Sequence, residues 1–181
     1  MRTRTAAAVT LLLAAGTLGT LTGTAAAAPP GNTTTGSAYA FPLVGGAGVF
    51  LSAFDPDGEA AFVVPEVFAG RYECVTEERV PAAFSGLGAV SAAGTATLTC
   101  SGFEVPDLTG TLTVDVAWRG RGPVTAQPPV PSECRLRVLE RAADVTGSVT
   151  VDVPGLVDAT AALDGVPGTI RSALSNCAAP R

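Results

Sequence analysis

The stretch Thr109-Gly110-Thr111-Leu112-Thr113-Val114-Asp115-Val116-Ala117-Trp118 restricts the fold more than any other part of this chain. Leu112, Val114, Val116 and Trp118 share one parity; Thr111, Thr113, Asp115 and Ala117 share the other. That two-residue period puts one side of a strand in a core and the other in water. The phrase returns as Thr146-Gly147-Ser148-Val149-Thr150-Val151-Asp152-Val153. Two copies are too few for a solenoid, so they predict two equivalent strands in neighbouring hairpins.

Other segments follow the same logic. Tyr39 and Phe41 share a parity and open a first strand, and Val49 to Phe54 reads as a buried one. Asp55-Pro56-Asp57-Gly58 supplies a hairpin turn, since Pro presets φ and Asp-Gly accepts positive φ. Arg71 to Val80 alternates until Pro81, and Ala82 to Gly94 has no clear period. Thr95 to Cys100 turns Ala96, Leu98 and Cys100 inward and three Thr outward. Glu133 to Arg141 alternates around Cys134, Leu136 and Val138, and Leu156 to Leu163 adds another strand. Ile170, Ala173, Leu174 and Cys177 fit helical spacing about as well as a strand. The class is all-β: an antiparallel β-sandwich or barrel of about eight strands.

The N-terminus reads as a secretory signal over residues 1–27. Arg2 and Arg4 give a charged start, Ala6 to Leu21 an apolar core, and Thr22 to Ala28 small residues with A-x-A sites. The alternative is an uncleaved membrane anchor, which the Ala-, Thr- and Gly-rich run and its cleavage-like end disfavour. Residues 28–37 are polar and turn-forming and predict a disordered lead-in. A single β-sandwich domain is expected over 38–181. Release from the cell follows.

Four cysteines, Cys74, Cys100, Cys134 and Cys177, all lie in the exported part. In an oxidising compartment an even count predicts two disulfides. Of three connectivities, sequential pairing (Cys74–Cys100 and Cys134–Cys177) is preferred. Their spacing matches no zinc pattern, and the chain has no His to complete one.

Function is less constrained. The formal charge is −5, and −7 once Arg2 and Arg4 leave with the signal; so acidic a domain is unsuited to nucleic acid. Without His, neither Ser-His-Asp nor Cys-His catalysis can be assembled, and no phosphate or dinucleotide fingerprint is present. No cofactor, metal or catalytic residue is assigned. Carboxylate chemistry needs only two acids. Its candidates are Glu73, Glu77 and Glu78, which also fit a solvated strand face partnered by Arg71 and Arg79. A second group, Asp55, Asp57 and Glu59, also fits a plain hairpin turn. The candidate partner-binding residues are Trp118, Arg119 and Arg121, at the strand end leading into Arg119-Gly120-Arg121-Gly122-Pro123. Aromatic plus Arg is the composition of binding hot spots, although the parity of Trp118 also suits the core.

Two resemblances add to this. Val114 to Val124 with Arg141-Ala142-Ala143 and Thr146-Gly147 resembles small secreted β-proteins of high-GC Gram-positive bacteria, which implies fold and export but no activity. Leu112-Thr113-Val114-Asp115, Trp118 and Ser132-Glu133-Cys134, downstream of Thr97-Leu98-Thr99-Cys100, is similar to the secreted subtilisin-inhibitor family. That likeness implies an exposed loop from Ser101 to Asp107, braced by Cys100–Cys134, entering a protease cleft. The chain departs from that family in lacking its first close cysteine pair and in the tail after Cys134. The expectation is therefore a secreted, non-enzymatic β-domain. It would act by surface contact on an extracellular protein or cell-envelope component, with no membrane span after signal removal. A protease inhibitor is the alternative, and a carboxylate hydrolase the third.

Overall fold

A computed structural model describes residues 33–128 and 134–177, with the side chains of Cys134, Arg135 and Cys177 outside the description. The signal segment, and Pro129 to Glu133 of the Pro-rich linker, lie outside the described residues. Twelve strands form one antiparallel sheet: β1 (Thr33–Ala40), β2 (Leu43–Val44), β3 (Ala47–Asp55), β4 (Phe62–Ala69), β5 (Tyr72–Val75), β6 (Val80–Ser85), β7 (Ala89–Gly102), β8 (Leu108–Gly120), β9 (Thr125–Ala126), β10 (Cys134–Val153), β11 (Val157–Ala162) and β12 (Val166–Cys177).

The sheet closes on itself. From β3 the hydrogen-bonded neighbours run β1, β12, β10, β8 and β7, then through β5 and β6 to β4 and back to β3. β5 and β6 lie end to end in one stave: both pair with β4 on one side and β7 on the other. The result is a ring of eight staves, which removes the exposed edges of an open sheet. The three short strands β2, β9 and β11 attach to β3 and β10 outside the ring path.

The two copies of the opening phrase form β8 and the later half of β10, and they pair with each other. Thr113 faces Thr150, Val114 faces Val149, and Leu112 faces Val151. The pair is related by a local two-fold through Thr113 and Thr150, so each copy meets the other in reverse. Both glycines of the phrase serve this contact. A Cβ on Gly110 would stand 2.4 Å from the Asp152 carbonyl oxygen, and one on Gly147 would stand 2.0 Å from that of Asp115. Gly147 also has φ +105, a region closed to most side chains.

Inside the ring, inward positions of successive strands meet. Leu51, Val67, Leu98, Leu112, Val149 and Ile170 are among its fully buried residues. The buried residues are nearly all Val, Ala and Leu; the single aromatic among them is Trp118. Its indole N–H donates to the Tyr39 carbonyl oxygen at 3.1 Å, tying β8 to β1. Trp118 therefore belongs to the core, as its parity allowed, and does not offer its ring to a partner.

Several expectations need correction. The described residues form twelve strands, and the expected eight correspond to the staves of the ring. Of the expected lead-in over 28–37, residues 28–32 lie outside the described residues, and Thr33–Ser37 are strand instead, pairing along β12 from Thr33 opposite Ser175 to Ser37 opposite Arg171. A polar segment becomes strand here because a neighbouring edge supplies the hydrogen bonds. Arg71 to Val80 is not continuous either. The Thr76 hydroxyl accepts the Glu78 N–H at 2.9 Å, a local bond that competes with the ladder and splits β5 from β6. Pro81 does not end a strand but occupies the second position of β6. Ile170 to Cys177, open between helix and strand by its spacing, is strand.

One of the two expected disulfides is seen, Cys74–Cys100, joining β5 to β7 at directly opposed positions. Cys134 and Cys177 oppose each other across β10 and β12.

Candidate binding face

The outer surface of the ring is chemically divided. On β7, β8 and β10 the outward positions are Thr95, Thr97, Thr99, Thr109, Thr111, Thr113 and Asp115, and later Thr150 and Asp152. The hydroxyls of Thr95 and Thr113 bond each other at 2.9 Å, as do those of Thr150 and Thr160 at 2.8 Å. Glu78 reaches onto this surface and accepts the Thr97 N–H at 2.8 Å. That occupies the most tightly bonded member of the Glu73, Glu77 and Glu78 group in holding the link between β5 and β6 against β7. Such a surface is satisfied by itself and by water.

Across β1, β3 and β4 the outward positions carry a run of aromatics set among Ser37, Ser52, Val64 and Glu66. Phe41 contacts Phe50 at 6.3 Å between ring centroids, Phe50 contacts Tyr39 at 6.0 Å, Tyr39 contacts Phe54 at 6.4 Å, and Phe54 contacts Phe62 at 5.7 Å. These are ordinary aromatic pair distances. The strand pairing makes the series: Tyr39 opposes Ser52, so it sits between Phe50 and Phe54, while Phe54 opposes Phe62 directly. Gly48 opposes both Leu43 and Phe68, and the tip of the Phe41 ring lies over it. Phe41, Leu43 and Phe68 are 54%, 69% and 41% exposed, an apolar cluster on the surface.

Two cations flank the rings. The Arg171 guanidinium lies over Tyr39 at 5.6 Å and its Nε donates to Glu140 at 2.6 Å. The Arg79 guanidinium lies over Phe62 at 4.1 Å and donates to Glu59 at 3.3 Å. Both arrangements fix a long side chain against an aromatic plane. Hollows open between the rings. One of about 440 Å³ is walled by Tyr39, Phe54, Asp55, Ser37, Val138 and Arg171. A second of about 310 Å³ lies between Tyr39, Phe41, Phe50 and Pro167, so Tyr39 is their common wall. A third of about 210 Å³ adjoins Phe62, Arg79 and Glu59. The acids of the Asp55 turn are thus divided: Asp55 walls the first hollow, while Glu59 holds Arg79.

The loop singled out in the sequence is pinned rather than free. Arg121 pairs with Asp144 at 3.1 Å, its N–H donates to the Ala142 carbonyl oxygen at 2.7 Å, and Arg141 Nε donates to that of Gly122 at 3.1 Å. Arg119 is exposed and walls a separate trough of about 420 Å³ with Phe84, Ala89 and Ala117. Trp118, itself buried, also reaches the lining of that trough, so it adjoins Arg119 while Arg121 stands apart on Asp144.

The loop between β7 and β8 does protrude. Phe103 at its tip is 79% exposed and Glu104 has φ +57. Cys100, at its base, is bonded to Cys74, so the Cys100–Cys134 brace implied by the inhibitor likeness is not made.

The aromatic face escaped the sequence reading, although its trace is there. In Val49 to Phe54 the two parities differ in size, with Val49, Leu51 and Ala53 on one and Phe50, Ser52 and Phe54 on the other. No protein-family model, curated protein or solved structure matches this chain.

Proposed function

We propose that this is a secreted, non-enzymatic module that works by contact, holding an extracellular partner on the outer face of β1, β3 and β4. One observation carries the reading: five outward aromatic residues in unbroken contact on a barrel whose buried core contains one. Rigid aromatic side chains beside Arg are what binding surfaces concentrate. The test is retention of the mature protein on the envelope fraction or culture matrix of its producer. Tyr39→Ala and Phe54→Ala should each reduce it, and retention indifferent to both would end the proposal.

Export accords with the Cys74–Cys100 bridge, and no helix among the described residues is long and apolar enough to cross a membrane. Cleavage after Ala27 would leave Ala28 as the N-terminus of the secreted protein, which terminal sequencing checks. The directly opposed positions of Cys134 and Cys177 support a second bridge between them. Trypsin should then release two linked pairs under non-reducing conditions, 72–79 with 80–119 and 122–135 with 172–181. Free thiol on either peptide of the second pair refutes that bridge.

The exposed Phe103 tip supports the second reading, a protease inhibitor. A subtilisin-type protease should then be titrated stoichiometrically and Phe103→Ala should weaken the complex. Turnover of the loop as an ordinary substrate would dispose of it.

A further inference from the structure

Resting on the contact reading above, we infer that the ligand of the aromatic face is an uncharged polysaccharide. Three properties of the face select that chemistry. The first is charge. Each Arg beside the rings is already matched by a carboxylate, Arg171 by Glu140 and Arg79 by Glu59, and Asp55 adds an unmatched acid to the largest hollow. On a domain of formal charge −7 after loss of Arg2 and Arg4, such a face repels phosphate, sulfate and anionic lipid.

The second is the mixture of groups within each hollow. Tyr39 and Phe54 offer ring surface, while Arg171, Asp55, Ser37 and Thr35 offer donors and acceptors beside it. A ligand matching both must carry apolar C–H faces and many hydroxyls on one rigid ring, which describes a pyranose. Its C–H face stacks on the aromatic plane and its edge hydroxyls bond the charged and hydroxyl groups.

The third is repetition. Hollows recur along the run of rings: two share Tyr39 as a wall, and the third adjoins Phe62, whose ring contacts Phe54 of the first. A repeating surface suits a repeating ligand, and several weak subsites along one chain add by effective concentration. The hollows open onto the surface, so the polymer lies along the run of rings rather than ending in a pocket.

The experiment uses the secreted mature protein with amorphous cellulose, chitin and curdlan as insoluble probes, heparin as the anionic control, and the producer's envelope fraction in parallel. Retention is expected on at least one neutral polymer and unchanged between 50 mM and 1 M NaCl. It should fall at least about tenfold for Tyr39→Ala and for Phe54→Ala. Arg171→Gln, which leaves the rings in place, should weaken it less, and unchanged Trp118 fluorescence and circular dichroism would show that each variant is folded. Retention only on heparin, or retention abolished by salt, overturns the glycan assignment. So does failure on all three neutral polymers while envelope binding still depends on Tyr39, an outcome that leaves the contact reading standing. If neither polymer nor envelope binding depends on Tyr39, both fall.

Discussion

Replacing Gly147 by Ala tests whether the paired phrase is the structural centre of the barrel. Two costs are expected, and they are separable. A non-glycine residue held at φ +105 costs about 1–3 kcal/mol wherever it occurs. The added Cβ would also lie 2.0 Å from the Asp115 carbonyl oxygen, with the Asp115 carbonyl carbon at 3.0 Å and the Val116 Cα at 3.2 Å. Those are backbone atoms of a paired strand and cannot rotate away, so β8 must move, at about 1–3 kcal/mol by analogy with overpacked cores. The sum is a loss of about 2–6 kcal/mol, a large share of the stability of a domain this size.

The contact cost is isolated by two companions. Gly46→Ala has a similarly positive φ of +88 but open space around the new Cβ, so it should show the conformational cost alone. Gly110→Ala occupies the equivalent position of the other copy, has no positive φ, and would meet the Asp152 carbonyl oxygen at 2.4 Å. It should show the contact cost alone, about 1–3 kcal/mol. Urea unfolding followed by Trp118 fluorescence reads all three, since the only Trp is buried in the ring. The expected order of loss is Gly147 above both Gly46 and Gly110. If Gly147→Ala costs no more than Gly46→Ala, the close antiparallel approach of the two copies is refuted.

Five further outcomes are expected. Replacing Cys74 and Cys100 together by Ala should cost about 3 kcal/mol, because the bridge closes a loop with a sequence separation of 26; a loss below about 1 kcal/mol in the same urea assay would contradict that. Trp118→Phe should cost about 1–3 kcal/mol through lost volume and the lost bond to Tyr39, read by circular dichroism. Native Trp118 emission should be blue-shifted, and emission at the wavelength of unfolded protein would refute its burial. Phe41→Thr with Phe68→Thr should change stability by less than about 1 kcal/mol while lowering binding of hydrophobic dyes, since both rings are exposed. Arg121→Ala should stay within about 0.5 kcal/mol, because its ion pair with Asp144 is more than half exposed on both sides.

Legibility in the sequence followed the contrast between the two faces of each strand. In β7 and β8 every inward residue is apolar and nearly every outward one is Thr, Ser or Asp, so period, face and burial are all read from the letters. In β3 both parities are apolar, and nothing local says which faces water. The answer depends on the closed ring, a tertiary property built from pairings between segments far apart in sequence. Thr33 to Ser37 failed for the converse reason. Its composition is that of a loop, yet the edge of β12 gives each backbone group a partner. The Trp118 loop misled because a strand end rich in Arg resembles a contact site, whereas Arg121 is spent on Asp144 and Trp118 on Tyr39. The sequential pairing Cys74–Cys100 was legible only as one of three choices, and the opposed register of β5 and β7 decides it.

The division of the outer surface bears on why the aromatic residues are there at all. An eight-stave ring has little interior beyond what side chains fill, and this one is occupied by Val, Ala, Leu and a single Trp. That explains why Phe50, Phe54 and Phe62 are not inside. It does not explain why those outward positions hold rings, because Thr has comparable strand propensity and fills the equivalent positions of β7 and β8. Three exposed apolar side chains gathered at Gly48 add nothing to the fold and risk self-association in water. Local packing accounts for part of the series, since Tyr39, Phe50 and Phe54 are half-buried against one another, but not for Phe41 and Phe68, which lie largely open. Strand formation and core packing are thus both satisfied without this face. A connected run of rings, with paired cations and hollows between them, is what the contact role proposed above would require.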